Sequence, residues 1–409
     1  MNTISDVAQR AGVSTMTVSR VLNSSGYVSA ATRQRVEQAI ADLSYVPNAL
    51  ARQLRSKRTK ALALVVSDIS NPFFTTIARG VGDAAGPRGF TVMYGNTDES
   101  EEEEAKYLRV LVERQVDGVL LVPARSSAES LRLLRAHQVP VVVIDRRLKT
   151  RHVDCVRTDS EAGAYALTRH LVELGHRRIA VLSGKREVST SQDRVAGCER
   201  ALREAGLRLD LDLVRFGGFN FGAPDQADGH LMALEVLAAP EGPPTAIFCA
   251  NNFIAFGAMR ALREQGLAIP DDVSVVAFDD LPEGWVSEPF LTVASQPAYE
   301  IGHRAAEILL ARIADGCHEH EDCEDVVLPF DLKVRRSSGP PRAGSGATVR
   351  TATRSRRGSA RTVVAAGSPR AISPPLRAAR RGVPSPPAAR RRTDAQDPPA
   401  PSADPPGAR

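Results

Sequence analysis

The sequence predicts an all-α helix-turn-helix head with a hinge helix, then a two-lobed α/β body made of two doubly wound parallel sheets, then a disordered tail. Residues 1–60 combine helix-capping residues with the apolar spacing of short helices. From Ala61 onward, apolar runs of strand length alternate with stretches of helix length. Beyond about Ser337 the chain has 14 Arg and 13 Pro but a single leucine, Leu376. Such a composition buries too little apolar surface to fold.

These composition changes place the boundaries of the chain. We expect the helix-turn-helix domain in residues 1–46, a hinge helix and linker in 47–60, the two-lobed body in 61–337 and the tail in 338–409. Late strands at LTVAS and VVLPFDLKV indicate that the chain crosses back between the lobes. We therefore expect an N-lobe of about 61–160 and 291–320, and a C-lobe of about 161–290 and 321–337.

The head begins with two short helices joined by a tight turn. Thr3 stands three residues before Asp6, which is the spacing of a capping box at a helix N-terminus. Gly12 allows the turn, and Ser14 can accept a hydrogen bond from a free amide of the second helix. A third helix, in about residues 29–43, has the apolar face needed to close a small core. Two helices joined in this way make a helix-turn-helix.

The outward face of the second helix presents hydroxyl, flexible apolar and guanidinium groups. These are Thr15, Met16, Thr17, Ser19 and Arg20. Such groups suit the base edges and phosphates of a DNA major groove. The charge distribution agrees, because residues 1–60 hold nine Lys/Arg against three Asp/Glu, whereas residues 61–337 hold 30 against 42. A basic head on an acidic body suits docking to phosphates through one end.

The strand candidates of the body are mostly apolar throughout. They are ALALVV, FTVMY, VDGVLLV, VPVVVI, RIAVLS, LVRFG, TAIFCA and VSVVAF, followed by LTVAS and VVLPFDLKV. Continuous apolar runs in alternation with helices predict parallel strands that are buried on both faces. We interpret the four glutamates from Glu101 to Glu104 as a solvated first turn of a helix, where carboxylates interact favourably with the helix dipole.

Polar and aromatic side chains follow several of these strands. They are Asp68, Asn71, Phe73, Phe74, Asp145, Arg146, Asn251, Asn252, Asp279 and Asp280, with Ser183, Arg194 and Phe219 in addition. Ligands of doubly wound sheets bind beyond the carboxyl ends of the strands, and this mixture suits a polyhydroxylated ligand because each hydroxyl both donates and accepts. Other interpretations stay open: a strand-end Asp or Asn also caps helices, the two phenylalanines also suit a core, and Asp145 and Arg146 can neutralise each other.

Length and composition exclude several classes of protein. A chain of 409 residues with 43% apolar content suffices for two or three globular domains. No apolar run is long enough to span a membrane and the N-terminus lacks the pattern of a signal peptide, so we expect a cytoplasmic protein. The five cysteines, Cys155, Cys198, Cys249, Cys317 and Cys323, are odd in number and scattered, and we expect no structural disulfide.

Motifs of enzymes and of metal sites are weak. GVGDAAG at residues 80–86 imitates a dinucleotide-binding motif but lies inside a helical segment, so we interpret it as helix packing. SGKR at residues 183–186 lacks the upstream glycine and the trailing hydroxyl of a P-loop. The cluster of Cys317, His318, His320 and Cys323 could bind a soft metal, although we favour a solvated loop. We expect no enzyme activity, no metal and no cofactor.

The head resembles the N-terminal domain of lactose-repressor (LacI/GalR) type transcription regulators almost position for position. The matching run is TISDVAQRAGVSTMTVSRVLNSSGYVSAATRQRVEQAIADLSYVPNALARQLR. The body continues the resemblance over about residues 61–335, with SDISNPFF, VIDR, ELGHRRIAVLSG, DRVAGCERAL, CANNFIAFGAMRALREQG, IPDDVSVVAFDD and LTVASQP. The resemblance implies that the body has the fold of periplasmic sugar-binding proteins. This sequence departs from the family pattern at Asn252, where the family usually has Asp.

Taken with the residue chemistry, the resemblance selects two sets of contacts. The expected DNA contacts are Thr3, Ser14, Thr15, Met16, Thr17, Ser19, Arg20, Asn23, Tyr45, Asn48, Ala51 and Leu54. The expected effector contacts are Asn71, Phe73, Phe74, Asp145, Arg146, Arg194, Phe219, Asn251 and Asp279.

Leu54 falls where the family has a leucine that wedges into the minor groove of the operator. An apolar side chain inserted between base steps unstacks them and kinks the duplex, at a cost that wider contact recovers. This interpretation is favoured by the flanking basic residues Arg52, Arg55, Lys57 and Arg58. The alternative is that Leu54 packs against the next domain.

The function predicted is that of a ligand-controlled DNA switch. We expect a sequence-specific transcriptional repressor whose operator affinity is controlled by a small ligand, a sugar, bound between the two lobes. The resemblance implies a homodimer that places two heads on a near-palindromic operator, in the cytoplasm at the nucleoid. Two alternatives stay open: a purine or nucleoside effector, and a cytoplasmic sugar-binding protein without a specific operator. The basic tail either adds non-specific DNA affinity or is an inert extension.

Overall fold

The computed structural model describes residues 2–46, 58–150, 152–219, 228–282, 284–316 and 323–342. Three predicted DNA contacts, Asn48, Ala51 and Leu54, lie outside this part, as do Cys317, His318, His320 and the predicted tail from residue 343 onward. None of the helices within the described ranges is long and apolar enough to cross a membrane.

Three helices form the head: α1 (Ile4–Ala11), α2 (Thr15–Leu22) and α3 (Ala30–Asp42). The predicted capping box begins α1, where the Thr3 amide donates to the Asp6 carboxylate at 2.6 Å and the Asp6 amide donates to Thr3 Oγ1 at 3.3 Å. Gly12 ends α1 with a φ of 64°, and Ser14 caps α2. The buried core of the head consists of Val7, Ala8, Ala11, Val18, Val21, Val36 and Ala39. The predicted helix-turn-helix is therefore present.

The body consists of two six-stranded sheets covered by helices. The strands are β1 (Ala61–Val66), β2 (Thr91–Asn96), β3 (Gly118–Leu121), β4 (Val141–Ile144), β5 (Asp154–Thr158), β6 (Ile179–Ser183), β7 (Val214–Phe216), β8 (Ala246–Cys249), β9 (Ser274–Phe278), β10 (Thr292–Ser295), β11 (Asp325–Leu328) and β12 (Asp331–Lys333). The helices are α4 (Pro72–Ala85), α5 (Glu101–Glu113), α6 (Glu129–Ala136), α7 (Ser160–Glu173), α8 (Ser189–Glu204), α9 (Asp228–Leu237), α10 (Asn252–Glu264) and α11 (Ala298–Asp315).

The two sheets have matching strand orders. The order is β11-β5-β4-β3-β1-β2 in the N-lobe and β12-β10-β9-β8-β6-β7 in the C-lobe. The neighbouring strands are parallel, except that β10 and β12 are antiparallel. Strands such as β1 and β9 are almost wholly buried because helices cover both faces of each sheet. This doubly wound architecture confirms the predicted fold class.

The predicted lobe boundaries are wrong after residue 291. β10 was expected in the N-lobe but pairs in parallel with β9 of the C-lobe, and β11 was expected in the C-lobe but pairs in parallel with β5 of the N-lobe. The chain crosses after β10 at Pro297, which precedes α11, and crosses again near Pro329. Proline has no amide hydrogen to continue a strand ladder, so the single predicted run VVLPFDLKV divides into two strands in two sheets.

Two further features of the fold differ from the sequence prediction. The body continues to Arg342 and does not end at residue 337, because Ser338 Oγ lies 2.9 Å from His170 Nε2 and the Gly339 carbonyl lies 2.8 Å from His176 Nε2. In addition, Glu104 does not lie in solvent. Its side chain is buried and accepts a hydrogen bond of 2.6 Å from the amide of Ala124.

Candidate functional site

The predicted DNA contacts that the structure describes divide into capping residues and outward side chains. Ser14 Oγ accepts from the Thr17 amide at 3.2 Å, and Asn23 Nδ2 donates to the Ser19 carbonyl at 2.9 Å, so these side chains fix the ends of α2. Thr15, Met16 and Arg20 are exposed, with Met16 at 61%, so they are free to meet a duplex. The half-buried Tyr45 packs on the head core.

The predicted effector contacts come together between the carboxyl ends of the two sheets. They line one cavity of about 20 Å³ together with Ser67, Asp68, Thr190 and Gln296, so the full lining is Ser67, Asp68, Asn71, Phe73, Phe74, Asp145, Arg146, Thr190, Arg194, Phe219, Asn251, Asp279 and Gln296. All nine predicted residues are members of this lining. A volume of this size holds about one water molecule, so in this arrangement of the lobes the cavity is too small for a larger ligand.

The N-lobe wall begins at the N-terminus of α4. Asn71 caps this helix by accepting from the Phe73 amide at 3.0 Å, which fixes the orientation of its side-chain amide. The rings of Phe73 and Phe74 meet edge to face with centroids 5.1 Å apart. Both alternatives raised by the sequence therefore apply here, because Asn71 is a cap and a cavity residue, and the phenylalanines belong to the core and to the cavity wall.

Arg146 does not form a closed pair with Asp145. Its Nη2 donates to Glu99 Oε1 at 2.6 Å and its Nη1 donates to the Pro123 carbonyl at 2.9 Å, whereas the Asp145 carboxylate lies 3.8 Å from Nε. The guanidinium is almost completely buried. Asp145 therefore keeps hydrogen-bonding capacity toward the cavity.

The C-lobe wall carries a second guanidinium. Arg194 lies 4.0 Å above the ring of Phe278, and its Nη1 donates to the Ala250 carbonyl. Asn251 caps α10 and donates to the Phe219 carbonyl at 3.0 Å. Gln296 Nε2 donates to Asp279 Oδ1 at 2.7 Å.

Burial shifts the ionisation of the charged groups in this cavity. It raises the pKa of Asp279 to about 6 and also raises the pKa of Asp145, while Arg194 opposes both shifts. Burial lowers the pKa of Arg194, which the two aspartates oppose. The site therefore holds charges at a desolvation cost, as functional sites commonly do.

Three buried polar atoms of the lining residues have no hydrogen-bond partner within the described chain. They are Arg146 Nε, Arg194 Nε and Gln296 Oε1. Two are donors and one is an acceptor, and leaving such groups unpaired costs about 1–3 kcal/mol each. A ligand with adjacent donors and acceptors would satisfy them.

Sequence reasoning missed several residues of this region. Gln296 directly follows β10 within the motif LTVASQP but is absent from the predicted contacts, Thr190 lies in the first turn of α8, and Glu99 lies between β2 and α5. Asn252 lies outside the lining but exchanges two hydrogen bonds with Asn71, of 3.2 and 3.3 Å, across the two lobes. Asp280, another residue that follows a strand, does not line this cavity. Its Oδ2 accepts a hydrogen bond of 2.6 Å from Arg335 Nη2.

The remaining motifs have structural roles. Gly80 of GVGDAAG faces α11, because a Cβ placed there would lie 2.2 Å from the Tyr299 carbonyl oxygen, and this close contact confirms the packing interpretation. Lys185 of SGKR donates to the carbonyl of Glu99 at 2.9 Å. Cys155, Cys198 and Cys249 are buried as free thiols. Among the described residues no group of three or more potential metal ligands occurs.

Comparison with known proteins matches both parts of the chain. Residues 3–48 match the family described as bacterial regulatory proteins, lacI family. Residues 59–336 match the periplasmic binding proteins and sugar binding domain of LacI family. The resemblance predicted from the motifs is thereby confirmed.

Individual relatives agree over most of the chain. The transcriptional repressor PurR of Vibrio campbellii is 38% identical over 320 residues, which cover 78% of this chain and 94% of the relative. The regulator CelR in complex with cellobiose is 34% identical with a TM-score of 0.61, covering 82% of this chain and all of CelR. The lac repressor dimer bound to operator and the anti-inducer ONPF is 28% identical with a TM-score of 0.71, and the match covers 83% of this chain and 99% of the lac repressor chain.

These matches cover the head and the body alike, in the order that the sequence predicts. A regulator of this kind binds DNA and a small molecule, works in the cytoplasm and is not an enzyme. The chain belongs to the LacI family of bacterial regulatory proteins, as a DNA-binding transcriptional regulator with a small-molecule-binding body.

Proposed function

We propose that the chain is a homodimeric repressor that acts at the nucleoid and whose operator affinity is set by a sugar bound between the lobes. The observation that carries this proposal is that Arg146, Arg194 and Gln296 each keep a buried polar atom without a hydrogen-bond partner in the described chain, and that they line a cavity together with Asp145 and Asp279. A sugar ring presents several hydroxyls side by side, and each can accept from a guanidinium and donate to a carboxylate. The relative CelR, whose complex contains cellobiose, supports the same class of ligand.

The proposed effector contacts are Asn71, Phe73, Phe74, Asp145, Arg146, Arg194, Phe219, Asn251 and Asp279. The proposed DNA contacts within the described head are Thr3, Ser14, Thr15, Met16, Thr17, Ser19, Arg20, Asn23 and Tyr45. Among these, Thr15 and Met16 are the proposed determinants of operator preference because they are exposed near the N-terminus of α2.

A second candidate effector is a purine base. The PurR relative is 38% identical to this chain, and Phe73 and Phe219 could offer aromatic contacts to a flat base. A base would use Asp279 and Arg194 through its ring nitrogens and carbonyl, in place of several hydroxyls.

The test is operator affinity measured by fluorescence anisotropy with DNA from upstream of the protein's own gene. Ribose, cellobiose, hypoxanthine and guanine are added separately, and a salt series accompanies each titration. A sugar that weakens binding identifies an inducible repressor, and one that strengthens binding identifies a corepressor. A response to hypoxanthine or guanine alone establishes the purine alternative. Equal binding to operator and random DNA contradicts the specific-repressor proposal.

Two pairs of variants locate the sites. Asp279→Asn should weaken binding of the active ligand about tenfold or more, while the neighbouring Asp280→Asn, whose carboxylate pairs with Arg335 outside this cavity, should leave it unchanged. Met16→Ala should change the preference among operator sequences, whereas Glu37→Ala on the exposed face of α3 should not.

A further inference from the structure

We propose that Glu99 is a positioning residue that couples the effector cavity to closure of the two lobes, and that Lys185 completes this interaction. We call the set of Glu99, Arg146, Lys185 and Phe219 the lobe latch. The inference rests on the proposed effector site, because Arg146 and Phe219 line that cavity and Glu99 and Lys185 do not.

Within the N-lobe, Glu99 fixes the position of Arg146. Glu99 lies between β2 and α5 and has a φ of 57°, after Asp98 with a φ of 48°. Its side chain is wholly buried, and its Oε1 accepts from Arg146 Nη2 at 2.6 Å. A buried charge needs a partner, so each of these groups holds the other in place.

The same residue reaches the C-lobe through two further hydrogen bonds. Glu99 Oε2 accepts from the amide of Phe219 at 3.3 Å, and the Glu99 carbonyl accepts from Lys185 Nζ at 2.9 Å. Phe219 and Lys185 follow β7 and β6 of the second sheet, so both bonds cross between the lobes. Glu99 thus joins the cavity-lining residue Arg146 of one lobe to the cavity-lining residue Phe219 of the other.

Two other hydrogen bonds between the lobes involve no residue of the cavity lining, unlike the pair of Asn71 and Asn252, in which Asn71 lines the cavity. The amide of Ser189 donates to Ser126 Oγ at 2.7 Å, and the amide of Arg147 donates to Ser189 Oγ at 2.8 Å. None of these three residues lines the cavity. These bonds stabilise the closed lobes without contacting a cavity residue. Glu99, by contrast, bonds both to the other lobe and to Arg146 of the cavity.

This arrangement links ligand contact to lobe closure. A ligand that accepts from Arg146 Nε uses a nitrogen that Glu99 does not bind, so the ligand and Glu99 hold Arg146 together. When the lobes separate, Glu99 loses Phe219 and Lys185 while Arg146 stays in the N-lobe. A ligand that binds Arg146 more tightly when the lobe latch is formed therefore favours the closed arrangement, and the shift in the equilibrium equals this difference in binding free energy.

The first experiment needs no ligand. In the full chain, spin labels are placed by Arg132→Cys in the N-lobe and Arg169→Cys in the C-lobe, two exposed helical positions, with Cys317 and Cys323 replaced by Ser. Electron–electron distance distributions are compared for the wild-type sequence, Glu99→Gln and Lys185→Met. Loss of a charge-assisted hydrogen bond should increase the separated population about tenfold in Glu99→Gln, and by a smaller factor in Lys185→Met.

Lys106→Met is the matched control, because Lys106 pairs with Glu103 inside a single helix. We expect its distances to equal those of the unaltered protein. Lys185 is exposed, so Lys185→Met keeps the test meaningful if Glu99→Gln fails to fold. Unchanged distances in Lys185→Met and in folded Glu99→Gln overturn the latch.

The second experiment separates the latch from the effector proposal. Ribose, cellobiose and hypoxanthine are titrated calorimetrically against the same variants. A probe that binds the unaltered protein should bind Glu99→Gln about tenfold more weakly, and Lys185→Met should reduce the effect of that probe on operator affinity. Equal affinity and equal effect in both variants contradict the coupling. If no probe binds the unaltered protein, the proposed function fails, while the label distances still decide whether the latch holds the lobes.

Discussion

Asp145 and Asp279 occupy equivalent positions in the two lobes, one after β4 and the other after β9. Each has a φ of 66°, and each donates its amide to the neighbouring strand, Asp145 to the Val156 carbonyl at 3.0 Å and Asp279 to the Ala294 carbonyl at 3.1 Å. A left-handed conformation is costly for a residue with a side chain. Both lobes use it to turn a carboxylate from the end of a strand into the shared cavity.

The Asp279 carboxyl predicts a specific dependence of stability on pH. Burial raises its pKa from 3.8 to about 6, so between about pH 4 and pH 6 the folded protein retains a proton that the unfolded chain has released. The free energy of unfolding should therefore fall as the pH rises through this window. Asp279→Asn should remove this fall, with a gain of up to about 3 kcal/mol at pH 7. Denaturant titrations at several pH values measure both effects.

Asp280 provides the opposite case as a control. Burial alone would raise the pKa of Asp280, but hydrogen bonds from Arg335 and Lys333 lower it below 3.8. This carboxylate contributes stability above its unfolded pKa and loses it as the pH falls. Asp280→Asn should thus destabilise the protein at pH 7. The same sign for the two variants would contradict this assignment of charges.

Two glycines of α4 should respond oppositely to alanine. A Cβ at Gly80 would lie 2.2 Å from the Tyr299 carbonyl oxygen of α11, so Gly80→Ala should cost about 2 kcal/mol or more by forcing the helices apart. Gly82 has no atom within 4 Å of the same position, so Gly82→Ala should stabilise by about 0.5–1 kcal/mol through helix propensity. Thermal unfolding distinguishes them. Equal melting temperatures would show that the contact of α4 with α11 is not rigid.

Two glutamates of the run at the start of α5 should also differ. Glu104 is buried and accepts from the Ala124 amide at 2.6 Å and from the Ser130 hydroxyl, so Glu104→Ala should cost about 1–3 kcal/mol. Glu102 is exposed, and Glu102→Ala should change stability by less than about 0.5 kcal/mol. Urea unfolding of both variants provides the measurement. A small effect at Glu104 would mean that water replaces its hydrogen bonds.

Asn252→Asp should weaken the contact between the lobes. Asn252 Nδ2 donates to Asn71 Oδ1 at 3.3 Å, and Asn71 cannot turn its amide round because the same oxygen caps α4 at the Phe73 amide. A carboxylate at residue 252 would place two acceptors against each other, at a cost of about 1–3 kcal/mol. We expect a lower melting temperature for Asn252→Asp than for the unaltered protein, because the aspartate keeps only the hydrogen bond from Asn71 Nδ2. The reverse order would refute the fixed orientation of Asn71.

Most of the fold follows from the sequence because the signals are local. Neighbouring residues alone identify the helix caps at Thr3 and Ser14 and the apolar strands β1, β4 and β9. Strand β5 escaped prediction because its first residue is an aspartate and its fourth an arginine. Both are neutralised by distant partners, since Asp154 pairs with Arg312 and Arg157 with Asp325. Apolar periodicity cannot reveal a strand whose charges are paired across the fold.

Only part of the candidate site could be predicted from the sequence, because some of its residues depend on partners that are distant along the chain. Residues such as Asn71 and Asp279 were visible because they directly follow strands or their caps. Glu99 was not, since its importance arises from Arg146, 47 residues away in sequence. Gln296 directly follows β10, so the strand-end rule could have found it. A local sequence pattern also cannot assign β10 and β11 to a lobe, because the lobe depends on the strand with which each pairs, β9 for β10 and β5 for β11.

The exchange of strands at the end of the body constrains how such a protein can be recombined. Neither lobe is encoded by one continuous stretch, since β10 and β11 return to sheets begun far earlier in the chain. A single gene crossover between β6 and β11 would therefore divide both sheets between two parents, and one elsewhere between β1 and β12 would divide one of them. The head, by contrast, is complete by α3, before the first strand begins. One crossover between residues 46 and 61 would give a new operator preference to an unchanged ligand sensor, so DNA specificity can evolve independently while the body must be inherited whole.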